Sequence, residues 1–448
     1  MITTQETTTH GLFQGLVVED GRAVSNWGLS RSTRPAVYLE PVSYADVQTA
    51  VREAQRFPSP IHPVGSMHSV TSTIVNDGGT LLCTAKLDQI IGLEQDATGR
   101  QLVRVQAGCR LAKLNRWLQA HGVELPFQSE IGEATVGSLA VCDSKESSLD
   151  GPGYFSAHVV GLTYVDERGE LCRLSDHEHG GAFHEFKCSF GLLGIVVECL
   201  LEVRPATLCR TDTSILAYAS PEDLAAGLLQ ARDRSDSLLA IVFLHDLAAF
   251  CEQHYKAGPG AFTPASSQPA CEEYRVAKRI AIQRGYDAVA PPQPSGLIHS
   301  RADFVNEYWH PSADESRLDF QYYEHDLSQF QRVLVESFRF TKSFEARTGF
   351  VPTGWATFFV NRPERAKKPF GVYSAGPGVS FSFDPFCPDP ANPSWQEFSR
   401  GYNQLAIHNL GANASPTQTQ WLQQGDDTIP RKLARPRFTT EYYEQFLD

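Results

Sequence analysis

Residues 62–72 read HPVGSMHSVTS, a histidine set among small and hydroxyl-bearing residues directly after an extended run. A loop built from Val64, Gly65, Ser66, Met67, His68 and Ser69 can turn its backbone N–H groups toward an anion such as a pyrophosphate. Small residues permit that approach, which a bulky side chain would block. Ser69, Thr71 and Ser72 add hydroxyl donors. Taken alone, a Gly-Ser turn of this kind is common. Its chemical reading is a loop around an anionic cofactor, with His68 aimed at the reactive end.

Three further segments combine small residues with turns into helices or strands: VQAGCRLAKL (105–114), GEATVGSLAVCDS (132–144) and CSFGLLGIVVECLLEV (188–203). The elements around them are legible. Ser43 with Asp46 forms a capping box for a helix whose apolar stripe is Val47, Ala50, Val51 and Ala54. A second helix carries Leu111, Leu114, Trp117 and Leu118 on one face and stops at Gly122. Strand-like alternation flanks the turn DATGR, and a hairpin turns at Glu167-Arg168-Gly169. Interleaved helices and strands to about residue 205 predict one α+β domain. Between about 210 and 400 two longer helices alternate with strands, and residues 257–300, rich in Pro, Gly, Ser and Ala, predict a surface loop.

The bulk numbers exclude some functions. A formal net charge of −13 over 448 residues, with no basic run, argues against a surface for nucleic acid or anionic lipid. The opening MITTQETTTHGLF has no signal-peptide pattern, and no stretch reaches the roughly 20 apolar residues of a membrane span. The ten cysteines contain no CxxC, so the expectation is reduced thiols in a cytoplasmic protein with no metal site.

In order and spacing, the loop and the three segments resemble the flavin domain of the vanillyl-alcohol oxidase and p-cresol methylhydroxylase superfamily. The aldonolactone and alditol oxidase branch is the most similar. The resemblance is continuous over about residues 34–205 and looser over 210–448. It implies an α+β fold: a two-subdomain FAD-binding domain (1–208), a substrate or cap domain with an antiparallel sheet and flanking helices (209–400), and a C-terminal segment (401–448) returning to the FAD domain. In that branch a Gly-x-x-His-Ser loop links its histidine covalently to the flavin, and His68 stands at the matching position. The second tether of the berberine-bridge branch needs a Cys before TVG. Here Glu133-Ala134 precedes Thr135-Val136-Gly137, so one link is implied.

The resemblance assigns Val64, Gly65, Ser66, Met67 and Ser69 to the pyrophosphate. It places Ala107, Gly108, Thr135, Val136 and Gly137 along the flavin and ribityl chain, and Gly194 and Ile195 near the adenosine end. Cys142, Asp143 and Ser144 occupy a turn that is Gly/Thr-rich in relatives. The sugar-oxidising members carry a Glu and an Arg two apart on a cap strand and a His-Trp-x-Lys motif. Here the matching positions are Ala356 and Phe358, and GANASPTQTQ stands in place of the motif. The expectation is therefore an FAD-dependent oxidase of a small organic substrate such as an alcohol or amine, with O₂ as acceptor, rather than a sugar-lactone or alditol oxidase. An FAD-containing isomerase or eliminase, or a flavoprotein that only binds a ligand, is the alternative.

Oxidising a C–H bond beside an O–H or N–H needs a proton acceptor. The candidates are Tyr323, Glu324, His325, His310 and His408. Alternation in DFQYYEHD puts Gln321, Tyr323 and His325 on one face and Tyr322 and Glu324 on the other. Because Gln321 matches the family's acidic site residue, the expectation is that Gln321, Tyr323 and His325 face the substrate.

Overall fold

The helix Tyr44–Arg52 begins where its cap is written. Ser43 Oγ accepts the Asp46 N–H at 3.2 Å, and the Asp46 carboxylate accepts the Ser43 N–H at 2.9 Å. In a computed structural model of the chain, the residues described are 17–127, 129–142, 144–147, 149–187, 189–257, 276–288, 296–304, 318–362, 378–426 and 428–448. The helix crosses over between the strands of a four-stranded sheet, ordered Val17–Asp20, Val37–Glu40, Thr80–Cys83, Ile61–Val64. Its last three strands are parallel, as a helical crossover allows.

A five-stranded antiparallel sheet follows, ordered Leu171–Ser175, Val159–Val165, Ile195–Glu202, Gln101–Gln106, Ile90–Gln95. Val47, Ala50 and Val51 of the first helix pack with Leu39 and Leu82 of the first sheet and with Val165, Ile195 and Val197 of the second. The helices Leu111–Ala120 and Val136–Val141 share a second core with Val103, Val105, Cys199 and Leu201.

Beyond Leu208 the chain builds a ten-stranded sheet centred on Ala248–Lys256, Ser237–Phe243 and Gly354–Arg362. Along Ser237–Phe243 every side chain is buried, because both faces are covered. Leu238, Ala240 and Val242 pack beneath the helices Pro221–Asp233 and Phe330–Thr348. Leu239, Ile241 and Phe243 pack on the other side with Ile282, Phe358 and Phe386. Gly349 ends the long helix at φ +74°, a left-handed position that favours glycine.

One expectation changes here. Residues 257–300 are not one loop: 276–284 form a helix burying Ala281 and Ile282, and Leu297–Ser300 pairs with Leu208–Thr211. Apolar residues buried within a Pro-rich surrounding made that helix hard to read. His310 lies outside the described residues, as does Asp143. Residues 428–448 pack on the first half of the chain. Arg437 donates to the carbonyls of Val51 and Ala50 at 3.1 and 2.8 Å, and Tyr443 and Phe446 pack with Phe190 and Leu192. No described helix is long and apolar enough to cross a membrane.

Candidate functional site

The loop after strand Ile61–Val64 is fixed from three sides. Trp27 N–H donates to Met67 O at 2.9 Å, and Asn26 Nδ2 donates to Ser69 O at 2.9 Å. Ser69 Oγ donates to Thr417 O, and Thr71 Oγ1 to Pro416 O at 2.7 Å. The Trp27 and His68 rings stack with centroids 5.7 Å apart. Met67 is held at φ +58°, a conformation costly for a residue with a side chain and therefore maintained by these contacts. The N–H groups of Ser66, Met67 and Ser69 meet no acceptor among the described residues, which leaves them available to an anion.

This loop forms one wall of a cavity of about 290 Å³. Of the residues that the resemblance assigns to the cofactor, Val64 to Ser69, Ala107, Gly137, Cys142, Ser144 and Gly194 line it. Gly108, Thr135, Val136 and Ile195 do not reach the wall and act from behind it. Gly108 presses on the Thr84 backbone, where an added Cβ would lie 1.8 Å from the carbonyl oxygen. Thr135 Oγ1 is 2.9 Å from Ser138 Oγ and fills the space a Gly65 Cβ would need, so Gly65 is required by chain packing. Val136 and Ile195 are core residues.

The opposite wall comes from the large sheet: Ile241, Phe320, Tyr322, Ala356, Phe358 and Phe386. Ala356 and Phe358 thus stand where sequence placed them, facing the cavity. The expectation for DFQYYEHD is corrected. Its alternation holds but is turned over, so Phe320 and Tyr322 face the cavity while Tyr323 joins the core under the helices. Tyr323 OH donates to Asn403, Gln321 accepts the Gln420 N–H at 2.8 Å, and His325 stacks on Phe381 at 5.3 Å. Burial pushes the Tyr323 phenol well above its ordinary range and the His325 imidazole down to about 4. His408 is half-exposed beside Asp426, at 3.2 Å, and takes no part in the wall.

Charged wall residues escaped the sequence reading. Lys145 lines the cavity with its side chain 1% exposed. Its Nζ lies 2.5 Å from the Glu324 carboxylate and 4.2 Å from the centre of the Tyr322 ring. Glu324 also accepts from Tyr154 OH at 2.7 Å, from Arg362 Nε at 2.6 Å and from Ser380 Oγ. Burial alone would raise this carboxyl, but Lys145 and Arg362 outweigh it and hold it at about 2. Two cations around one anion leave this buried cluster with a net positive charge.

Asp384, also on the wall, accepts the Tyr323 N–H at 2.8 Å. Burial drives its carboxyl well above the usual range, against that hydrogen bond and the nearby Lys145. Nothing in the SKES stretch around Lys145 marks it in sequence. Arg362, 38 residues after Glu324, is joined to it only by the fold.

Residues 35–175 match the FAD binding domain family. Over that stretch the chain is similar to an FAD-binding domain. The cavity wall contributed by this domain fits the assignment, since it supplies free loop N–H groups, hydroxyls and glycine-dependent close packing. The chain is 34% identical over 194 residues to D-arabinono-1,4-lactone oxidase of Eremothecium gossypii, a match covering 43% of this chain and 36% of that one. Against L-gulonolactone oxidase of Mus musculus it is 23% identical, with 41% of each covered. The chain thus spans well under half the length of these relatives.

Among solved structures, cholesterol oxidase from B. sterolicum superposes with TM-score 0.72 at 15% identity, covering 99% of this chain and 100% of that one. A chitooligosaccharide oxidase gives TM-score 0.63 at 16% identity, covering 90% and 87%. These structural matches show the α+β fold with an antiparallel cap sheet, and the superfamily resemblance is borne out once the family and sequence matches are set beside them.

Proposed function

We propose that this protein is an FAD-dependent oxidase of a largely apolar alcohol, using O₂ as acceptor, with the flavin joined covalently to His68. The observation carrying this reading is the cap-side wall, where Ile241, Phe320, Phe358 and Phe386 surround a few polar groups at one end. A polyol or sugar lactone would bury several hydroxyls against that wall. Each hydroxyl left without a partner costs about 1–3 kcal/mol. An amine substrate, cationic near neutrality, would meet the net positive Lys145–Glu324–Arg362 cluster. A neutral alcohol meets neither penalty.

Bound FAD would supply the acceptor for the two electrons and the hydrogen of the substrate C–H bond. Ser66, Met67 and Ser69 would hold its phosphates through their N–H groups, and His68 would meet the flavin end. The alcohol proton goes to Asp384, since burial raises its carboxyl well above the ordinary range and so makes its carboxylate the stronger base. Lys145 steadies the oxygen as its proton leaves, while Glu324, itself oriented by Arg362, holds the ammonium in place.

The test is anaerobic bleaching of the purified yellow protein by a panel of alcohols. Apolar primary and secondary alcohols should bleach it, and peroxide should appear on readmitting air. Asp384→Asn should keep its flavin and slow bleaching by about a hundredfold or more. Rapid bleaching by xylitol or a gulonolactone, with apolar alcohols inert, would overturn the substrate assignment. Acid-precipitated wild-type protein should remain yellow and His68→Ala should not; colour lost wholly to the supernatant of wild type would refute the tether.

A further inference from the structure

Behind the Lys145 wall lies a second, smaller chamber of about 50 Å³. Its lining mixes the polar side chains of Glu130, Glu146, Ser147 and Ser237 with Leu149 and Leu239. A buried water needs roughly 10–15 Å³ of such space and two to four polar partners, so the chamber has room for about three or four waters. Glu146 lines both this chamber and the main cavity. It is the neighbour in sequence of Lys145, and its Oε1 accepts the Ser147 N–H at 3.2 Å.

The acid groups here outnumber the cation they share. Lys278, from the helix 276–284, pairs with Glu130 and lies 3.0 Å from Glu252 Oε1. His254 Nε2 lies 3.7 Å from Glu252 Oε2. Burial holds His254 and His299 neutral, at about 3 and about 4, so they add no positive charge near neutrality. Arg301 is engaged with Glu124, at 3.5 Å. One ammonium therefore faces three carboxyl groups, and protons must make up the difference. Burial and the Glu130 charge push Glu146 well above the ordinary range against Lys278, and burial brings Glu252 to about 7. Glu130, in contrast, has a side chain 25% exposed.

We propose that Glu146 is the relay carboxyl of a proton path running from the main cavity, through the second chamber and water held there, to Glu130 and solvent. The path rests on the alcohol-oxidase reading for its source of protons, since each alcohol oxidised releases one O–H proton into a cavity walled by apolar residues. That proton, taken up by Asp384 and handed on through water in the cavity, arrives on one oxygen of the Glu146 carboxyl. The proton already held leaves from the other oxygen to chamber water and on to the Glu130 carboxylate. No heavy-atom bond changes and Glu146 ends as it began, ready for the next turnover. Glu146 is thus a positioning residue for protons and does not meet the reacting carbon.

The experiment compares wild type with Glu146→Gln and Glu130→Gln by infrared spectroscopy in H₂O and D₂O, alongside anaerobic flavin reduction. Wild type should show protonated-carboxyl absorption that shifts in D₂O, and Glu146→Gln should lose the part due to Glu146, leaving that of Asp384 and Glu252, while retaining full FAD absorbance. Glu130→Gln should keep the Glu146 band and exchange it more slowly. Glu146→Gln should reduce its flavin about a hundredfold more slowly, with an enlarged solvent isotope effect, because proton departure then limits the step. A band unchanged in Glu146→Gln would overturn the proposal, as would wild-type reduction rates and isotope effect in that variant. Should no alcohol bleach the wild type, the function proposed above fails, while the infrared comparison still decides the Glu146 proton. Should Glu146→Gln not fold, a wild-type band that exchanges at the same rate in Glu130→Gln would refute the path.

Discussion

Replacing Glu324 by Gln removes the anion between Lys145 and Arg362 while preserving the length of the side chain. In the native protein those two cations are 1% and 4% exposed, so water cannot take over from the lost carboxylate. Removing one partner of a buried ion pair costs about 3–5 kcal/mol, because the remaining charge stays buried and uncompensated. The surface pair Arg347–Glu397, exposed by 59% and 55%, is the control, and Glu397→Gln should cost less than about 1 kcal/mol. Urea unfolding followed by fluorescence reads the difference as a lower midpoint at unchanged slope.

A second readout concerns Asp384. Glu324 raises its carboxyl and Lys145 lowers it, so deleting the Glu324 charge lets Lys145 pull the Asp384 pKa down. The acid limb of the flavin-reduction profile should then move to lower pH. A Glu324→Gln loss no larger than that of the surface control, or an acid limb moving upward, would refute the reasoning.

Gly108→Ala should cost at the upper end of the roughly 1–3 kcal/mol of overpacking, since its Cβ would meet the Thr84 backbone at 1.8 and 2.6 Å; FAD retained through gel filtration measures it. His325 is held near 4 against an ordinary value near 6.5, so below pH 6.5 the unfolded chain binds a proton the folded one refuses. Its stability penalty therefore grows as pH falls from about 6.5 to about 4, reaching about 3 kcal/mol. His325→Phe should flatten the stability profile in that window, and an unchanged profile would contradict the burial. Tyr323→Phe should cost about 1–3 kcal/mol by leaving Asn403 short of a partner, yet reduce flavin at the wild-type rate. Tyr322→Phe, on the cavity wall, should be the slower of the two in reduction assays.

Local signals carried much of the fold. The Ser43–Asp46 box, the stop at Gly122 and the hairpin at Gly169 each depend on a few neighbouring residues, and each is present. The small-residue loop at 62–69 was legible for the same reason, because its need for close backbone approach is written in its composition. The orientation of DFQYYEHD was not. Period-two alternation fixes which residues share a face, but both faces of this sheet are buried, so apolarity could not choose between them. Lys145, Glu324 and Arg362 were invisible as a group, because their meeting depends on three distant segments folding together.

The hydrogen bonds from Arg437 to Val51 and Ala50 span 386 and 387 residues of chain, and Ile61 N–H closes on Arg437 O beside them. A ribosome adding about 5–20 residues per second needs some tens of seconds to cover that interval. During that time the first parallel sheet stands without the residues that cover it, and the cavity lacks Thr417, Gln418 and Tyr443. The cavity is walled on that side only once these residues have been made. Contacts of such long range also slow folding itself. A nascent chain stalled before residue 413 would leave that sheet uncovered and that side of the cavity open.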